Sequence, residues 1–379
     1  MDLIIGIIIG LIVLVVLVVI HELGHAIVAK RNGVVVEEFG IGFPPRAWGK
    51  KLKNGVLFSL NWLPLGGFVK LQGEHDAAHK KGDYGAATFW QKTKILFAGV
   101  VMNWVVAVVI FTILALVGLP KILPNQFVVP SDVKQVAAPV QLSALVKDYP
   151  AEKAGLKAGD TVTTFAGQPV NDVQTLISLS KENKGKTVPV VYEREGKEAT
   201  ASVALRDTDM AIFGSTLSQR QLIRATWSAP IVGIVTTGQF TWVTFQGLGQ
   251  LVGDFFGGLF LQLSPDSDTR KAAGESLQRA GESVAGPVGI LGTIFPAAGK
   301  AGPTEVFFLA GIISLTLAVM NTLPIPALDG GRWFVTALFK ALKKPLTKDR
   351  EEKIQGTGFM VLMGLIVLVT IGDVAKLFN

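Results

Sequence analysis

The sequence predicts a polytopic α-helical membrane protein of about four spans, with a small membrane-associated β-sheet and one inserted soluble module. Three observations predict it. Hydrophobic residues make up 49% of the 379-residue chain. Several apolar stretches are long enough to cross a hydrocarbon core about 30 Å thick. Between them lies one stretch with the mixed polar composition of a soluble α/β domain.

Residues 1–29 form the first expected span. Residues 3–20 carry no charge and end in His21-Glu22-Leu23-Gly24-His25. A helix puts positions i and i+4 on one face, so His21 and His25 can grip one metal ion while Glu22 stands beside it as a proton acceptor. Two imidazoles and a carboxylate at membrane depth are costly, and Gly24 weakens the helix further. A purely structural role explains neither. The segment lacks a basic region ahead of it and a small-x-small cleavage site after it, so a retained span is expected rather than a signal peptide. There are no cysteines, which excludes disulfides and thiolate ligands. Any metal must be held by His, Asp or Glu.

Residues 30–94 form a loop rich in lysine, with short β-prone runs at 34–36, 56–60 and 68–71 and a hairpin signal at Asn54-Gly55. A small sheet at the membrane edge, dipping toward the metal, is expected. Residues 95–119 form the second span. Residues 130–207 read as the soluble module: Pro150 to Asp160 gives a short helix and Gly turn, 161–165 a strand, Asn171 or Asp172 caps a helix to about Ser180, and 187–192 and 200–205 are strands. Residues 219–302 are too polar for a comfortable span and too apolar for a soluble loop. They are expected to hold helices along the outer interface, followed by a polar surface connection at 264–283.

Residues 304–331 form the third span, broken by Pro324 and Pro326 near its end. There Asp329-Gly330-Gly331 offers a carboxylate at the depth of His21. A catalytic zinc takes three protein ligands and leaves a fourth position open, which makes Asp329 the candidate third ligand. Residues 332–357 are a basic segment with Arg332, Lys340, Lys343, Lys344, Lys348, Arg350 and Lys353, and 358–372 form a short fourth span. Both short loops are basic, so they are expected in the cytoplasm and the soluble module outside. The net charge of +7 is thereby a matter of topology, and the expected partner is the lipid bilayer rather than nucleic acid.

The pairing of His21-Glu22-Leu23-Gly24-His25 with Asn321-x-x-Pro324-x-Pro326-x-Leu328-Asp329-Gly330 resembles the site-2 protease family of intramembrane zinc metalloproteases. The order of spans, Gly99 to Asn103 in the second span and Gly286 to Ile290 before the third make it similar to the regulator of sigma-E protease group within that family. The stretch from Pro150 to Asp160 resembles a PDZ domain of the bacterial protease type, which binds extended peptides by strand addition.

The resemblance implies one Zn2+ held by His21, His25 and Asp329, and Glu22 as general base. It also implies that Asn321 orients substrate and that Gly66, Gly67, Phe68 and Val69 hold it extended. Single-span membrane proteins would be the substrates, of the anti-sigma factor or remnant signal peptide class, in a bacterial cytoplasmic membrane. Better-known members carry two tandem PDZ domains, where this chain has room for one, and several have His where this chain has Arg332.

The alternative is a catalytically inactive PDZ-bearing membrane chaperone or scaffold, which has no need of Glu22 or Asp329. A zinc carrier would want further ionisable groups along a path through the spans. His75 and His79 repeat the i, i+4 spacing, but they sit between Gly73 and Gly82 among lysines, where a solvated loop is expected. Asp254, Asp266 and Asp268 are expected to be surface groups.

Overall fold

The computed structural model describes residues 2–378 except 138, 195, 209–211, 220, 263, 265 and 283. The chain divides into two compact units. The first comprises Met1–Phe111, Ile234–Gly299 and Glu305–Asn379, and the second Thr112–Gly233 with Lys300–Thr304.

Helix α1 (Asp2–Arg31) contains the His pair in its C-terminal half. Its Leu3, Ile8 and Ile12 are exposed, as a lipid-facing surface requires. Strands β1 (Val36–Lys51) and β2 (Leu57–Leu71) follow. Their register shows that each bends and pairs twice. Residues 36–41 of β1 lie between residues 57–60 and 67–71 of β2, and Arg46–Lys51 pairs with the outer side of the 57–61 segment. The result is four antiparallel segments made from two strands. The 67–71 segment is at one edge, and among the described residues no further strand pairs with it. The turn is at Asn54-Gly55, where Asn54 Oδ1 accepts from Val56 N and Gly55 takes a positive φ of 88°. Helix α2 (Phe89–Val117) is the second long apolar helix.

The second unit carries two sheets. β3 (Leu119–Pro120), β4 (Lys134–Ala137) and β11 (Gln221–Arg224) form one, with β11 in the middle. The other runs β10-β5-β6-β8-β9, with β7 (Gln168–Pro169) on β6. Here β5 is Val140–Leu145, β6 Thr161–Phe165, β8 Thr187–Arg194, β9 Lys197–Ala204 and β10 Ser215–Ser218. Helices α3 (Pro150–Lys153) and α4 (Val173–Glu182) complete the unit. Alternation along β8 drives Val188, Val190 and Tyr192 into a core with Leu142, Phe165 and Leu176. Asp172 caps α4 by accepting from Thr175 N at 2.7 Å. The six-stranded sheet runs past residue 207, where the sequence reading closed the module. β10 pairs with β5, and Phe213 meets Phe165 edge-on at 5.5 Å. The polar stretch before this strand hides it, because four residues are too few to show alternation.

Helix α5 (Ala229–Leu261) is one continuous 33-residue helix where the interfacial helices were expected. The ends of that stretch at Arg220 and Leu263 lie outside the described residues. The expected polar surface connection at 264–283, of which Pro265 and Ser283 lie outside the described residues, is helical and largely exposed. It contains α6 (Ser267–Glu282), begun by Asp266 accepting from Thr269 N at 2.8 Å. Apolar Ala273 is fully buried on this otherwise charged helix, so its stripe was too sparse to see in the sequence. α7 (Pro287–Gly289), a five-residue π-helical turn (Ile290–Ile294) and α8 (Phe295–Ala301) lead to α9 (Pro303–Met320).

The third span stops at Met320 rather than continuing to residue 331, and Asp329 opens a separate helix, α10 (Asp329–Ala341). Proline at 324 and 326 cannot continue the helix, and it restricts the residue before it, so the intervening segment is a loop. The expected short fourth span belongs to α11 (Lys348–Phe378), whose 31 residues begin in the basic segment. At about 1.5 Å per residue that length exceeds the hydrocarbon thickness without any help. Among the described residues four helices, Leu3–Arg31, Phe89–Val117, Pro303–Met320 and Lys348–Lys376, are long and apolar enough to cross a membrane.

Candidate metal centre

Three side chains from distant parts of the first unit point their donor atoms at one spot. His21 and His25 lie one turn apart on α1, and Asp329 is the first residue of α10. His21 Nε2 is 3.0 Å from Asp329 Oδ2, His25 Nε2 is 3.3 Å from the same oxygen, and the two Nε2 atoms are 3.1 Å apart. Around a tetrahedral zinc with bonds of about 2.0–2.1 Å, donor atoms sit about 3.3 Å from each other. The triangle therefore fits one ion, with two neutral nitrogens and one carboxylate as a hard-to-borderline donor set. Among the described residues it is the one cluster of three such groups with this spacing. The histidines are 7% and 8% exposed, so their convergence is held by packing rather than by solvent-exposed pairing.

The loop between α9 and α10 delivers the aspartate. Gly330 N donates to Asn321 O at 2.8 Å and Arg332 N to Leu328 O at 2.9 Å, which starts α10 at Asp329. Ala327 N donates to Gln355 Oε1 of α11, tying the loop to the last helix. The Asn321 side-chain amide donates to Leu317 O at 3.0 Å, and its backbone oxygen holds the turn.

Helix α2 supplies what the sequence reading missed. His25 Nδ1 lies 2.7 Å from Ile95 O, and His21 Nδ1 lies 3.4 Å from Asn103 Nδ2. Between those contacts, a Cβ on Gly99 would stand 2.5 Å from His25 Nε2 and 2.6 Å from His21 Nε2. From the other side, a Cβ on Gly24 would stand 2.6 Å from Ala98 O. The two glycines let α1 and α2 approach until the imidazoles touch α2, which accounts for Gly24 inside the motif despite its cost to helix propensity. The signal available in the sequence was a four-residue spacing, Ile95, Gly99, Asn103, along one face of α2.

A cavity of about 760 Å³ opens beside the cluster, lined by Glu22, His25, Phe68, Val69 and Asp329 among others. That size falls within the range of small-molecule and peptide side-chain sites. Phe68 and Val69 belong to the unpaired edge of the sheet, while Gly66 and Gly67 do not line the cavity. On the far wall Arg332, one turn along α10 from Asp329, donates to Glu74 Oε1 at 2.8 Å and to Glu351 Oε1 at 3.3 Å, and lies over the Tyr84 ring at 4.6 Å. Burial pushes the Tyr84 hydroxyl above its ordinary value, with the Arg332 charge pulling the other way.

The loop with His75 and His79 is anchored rather than simply solvated. Asp76 N donates to Glu351 Oε2 at 2.7 Å, and the Asp76 carboxylate pairs with the buried Lys92. These two histidines make no metal cluster among the described residues. Of the outer aspartates, Asp254 pairs loosely with Arg279 at 3.7 Å.

Comparison with known proteins gives a consistent set of matches. The model of peptidase family M50 matches residues 9–365. A Clostridium perfringens protein named "Putative zinc metalloprotease CPE1693" is 30% identical over 97% of this chain and 98% of its own length. The regulator of sigma-W protease RasP of Bacillus subtilis is 26% identical over 96% of each chain. The zinc metalloprotease RasP of Geobacillus kaustophilus is 26% identical over the same shares. Among solved structures, the PDZ domain of an SdrC-like protein from Listeria monocytogenes matches at 29% identity. It covers 21% of this chain and 86% of that one, with a TM-score of 0.19.

Proposed function

The chain belongs to peptidase family M50, and on that premise we propose that His21, His25 and Asp329 hold its zinc and Glu22 is the general base. It is a membrane zinc metalloprotease of the site-2 type, and the reading as an inactive scaffold is set aside. The observation that carries the assignment is the meeting of His21 and Asp329 across 308 positions of sequence, with donor atoms 3.0 Å apart.

Zinc bound there supplies Lewis acidity, which polarises the scissile carbonyl and makes water easier to deprotonate. The protein's part is positional. Glu22, next to His21 and in the cavity wall, takes a proton from the attacking water on its carboxylate and returns it to the nitrogen of the leaving peptide. The 67–71 edge, with which no further strand pairs among the described residues, is where an extended segment adds. This matters because a helical substrate has its carbonyls already hydrogen-bonded and must unwind before attack. Asn321, whose backbone oxygen holds the turn that presents Asp329, helps orient substrate near the site.

The substrates are single-span membrane proteins, of the anti-sigma factor or remnant signal peptide class. One relative's name, regulator of sigma-W protease, supports that class, and bacterial relatives support a bacterial cytoplasmic membrane. In liposomes, the purified protein is expected to cut a single-span reporter within its span, to stop when a chelator strips its zinc and to resume when zinc is restored. Cleavage that survives complete removal of metal contradicts the assignment.

The six-stranded module is a PDZ domain facing away from the cytoplasm, with the metal toward the cytoplasmic side. The basic loops support this orientation. Because the chain has no cysteine, Lys157→Cys introduces a single thiol. It is expected to react with an impermeant maleimide in intact cells, or in spheroplasts where an outer membrane intervenes. Reaction only after lysis reverses the orientation.

A further inference from the structure

We propose that Asn103 is a positioning residue for the metal: its side-chain oxygen accepts the Nδ1 proton of His21 and so keeps Nε2 aimed at the ion. The proposal rests on the assignment of His21, His25 and Asp329 as ligands and extends it to α2.

An imidazole that gives its Nε2 lone pair to a metal carries its proton on Nδ1, and that N–H needs an acceptor when buried. His25 has one, since its Nδ1 lies 2.7 Å from the Ile95 carbonyl. His21 turns Nε2 toward Asp329 and His25 in the same way, and the Asn103 amide stands beside its Nδ1 at 3.4 Å. Asn103 is fully buried at 0% exposure, and its Oδ1 has no hydrogen-bond partner. With Nδ2 toward His21, the amide suits an unprotonated Nδ1, the tautomer that leaves a proton on Nε2 and cannot bind metal through that atom. Against the metal-binding tautomer the same orientation sets N–H against N–H. A half-turn about the Cβ–Cγ bond exchanges the two ends of the amide, which are nearly equal in size. It then gives the Nδ1 proton its acceptor and the orphaned oxygen a donor.

The backbone around Asn103 is held independently of its side chain. Ser314 Oγ of α9 donates to Asn103 O at 2.8 Å, in a buried contact. Ile95, Gly99 and Asn103 then form one stripe with a role at each level: a carbonyl for His25, open space for both rings, and an amide oxygen for His21.

The test compares the full-length protein with Asn103→Leu and Asn103→Asp in detergent, measuring zinc affinity by competition with a chromophoric chelator. Co2+-substituted spectra provide a second readout. Leu matches the volume and suits an apolar interior, so a packing role ranks it with or above wild type. Asp keeps the acceptor. The proposal expects Leu to lose roughly 10–100-fold in affinity, the usual loss for a hydrogen-bond partner of a metal ligand, and to shift the Co2+ ligand-field bands. It expects Asp to retain both the wild-type affinity and the bands. Leu binding zinc as wild type does, or Asp binding as weakly as Leu, overturns it. Should Leu fail to fold, the Asp result alone decides. A wild-type protein that binds no zinc overturns the ligand assignment beneath it instead.

Discussion

Glu22→Gln is expected to abolish cleavage of a membrane-inserted reporter while leaving the zinc content at the wild-type level. Glutamine keeps the shape and length of the side chain but cannot take up the proton that water must lose. Positioned proton transfer contributes roughly 10²–10⁴-fold to rate, so a loss of that order should bring the reaction below detection in most assays. Zinc content should hold because the donor triangle consists of His21, His25 and Asp329, and Glu22 lines the cavity without belonging to it. Equal cleavage by the variant removes Glu22 from the chemistry. Loss of zinc together with activity would make Glu22 a ligand and recast the site.

His21→Ala and Asp329→Ala are each expected to strip the metal and, with it, the activity. Substituting a hydrogen-bond partner of a ligand typically costs 10–100-fold in metal affinity, so removing a ligand itself should cost more than about 100-fold. The pair is informative because the two residues sit on separate helices, α1 and α10, at a sequence separation of 308. If only the histidine variant lost zinc, the carboxylate would not share the ion. Both variants should still insert and migrate as the intact chain, since the spans owe their place in the bilayer to length and apolarity rather than to this cluster.

Much of this arrangement was legible beforehand. The i, i+4 histidines needed only helical periodicity, and the prolines before Asp329 announced a break that could aim a carboxylate at them. Less visible was the true end of the third span. The prolines mark the break but not the residue where the helix ends, which depends on hydrogen bonds such as Gly330 N to Asn321 O. The contribution of α2 was hidden for another reason. In a helix apolar all round, periodicity cannot say which face meets a neighbour, so Gly99 and Asn103 gained meaning only once α1 lay against them.

Arg332 illustrates the limit from the other direction. As a sequence position it was a departure from the family pattern with no assigned effect. In space it bridges Glu74 and Glu351 and covers Tyr84, which fixes α10 one turn beyond the proposed ligand. Residues 68–71 were recognised as β-prone, but their place at the edge of the sheet depended on β1 and β2 bending and pairing twice. Short runs in a sequence do not reveal that order.

X-ray absorption at the zinc edge of the purified protein, with and without Asp329→Ala, tests the shared ion most directly. The expected spectrum is one zinc per chain with two imidazole nitrogens at about 2.0–2.1 Å and oxygen donors at about 2.0–2.2 Å, with metal lost from the variant. Zinc bound with full occupancy in Asp329→Ala, or a spectrum with fewer than two imidazoles in the wild type, would contradict it.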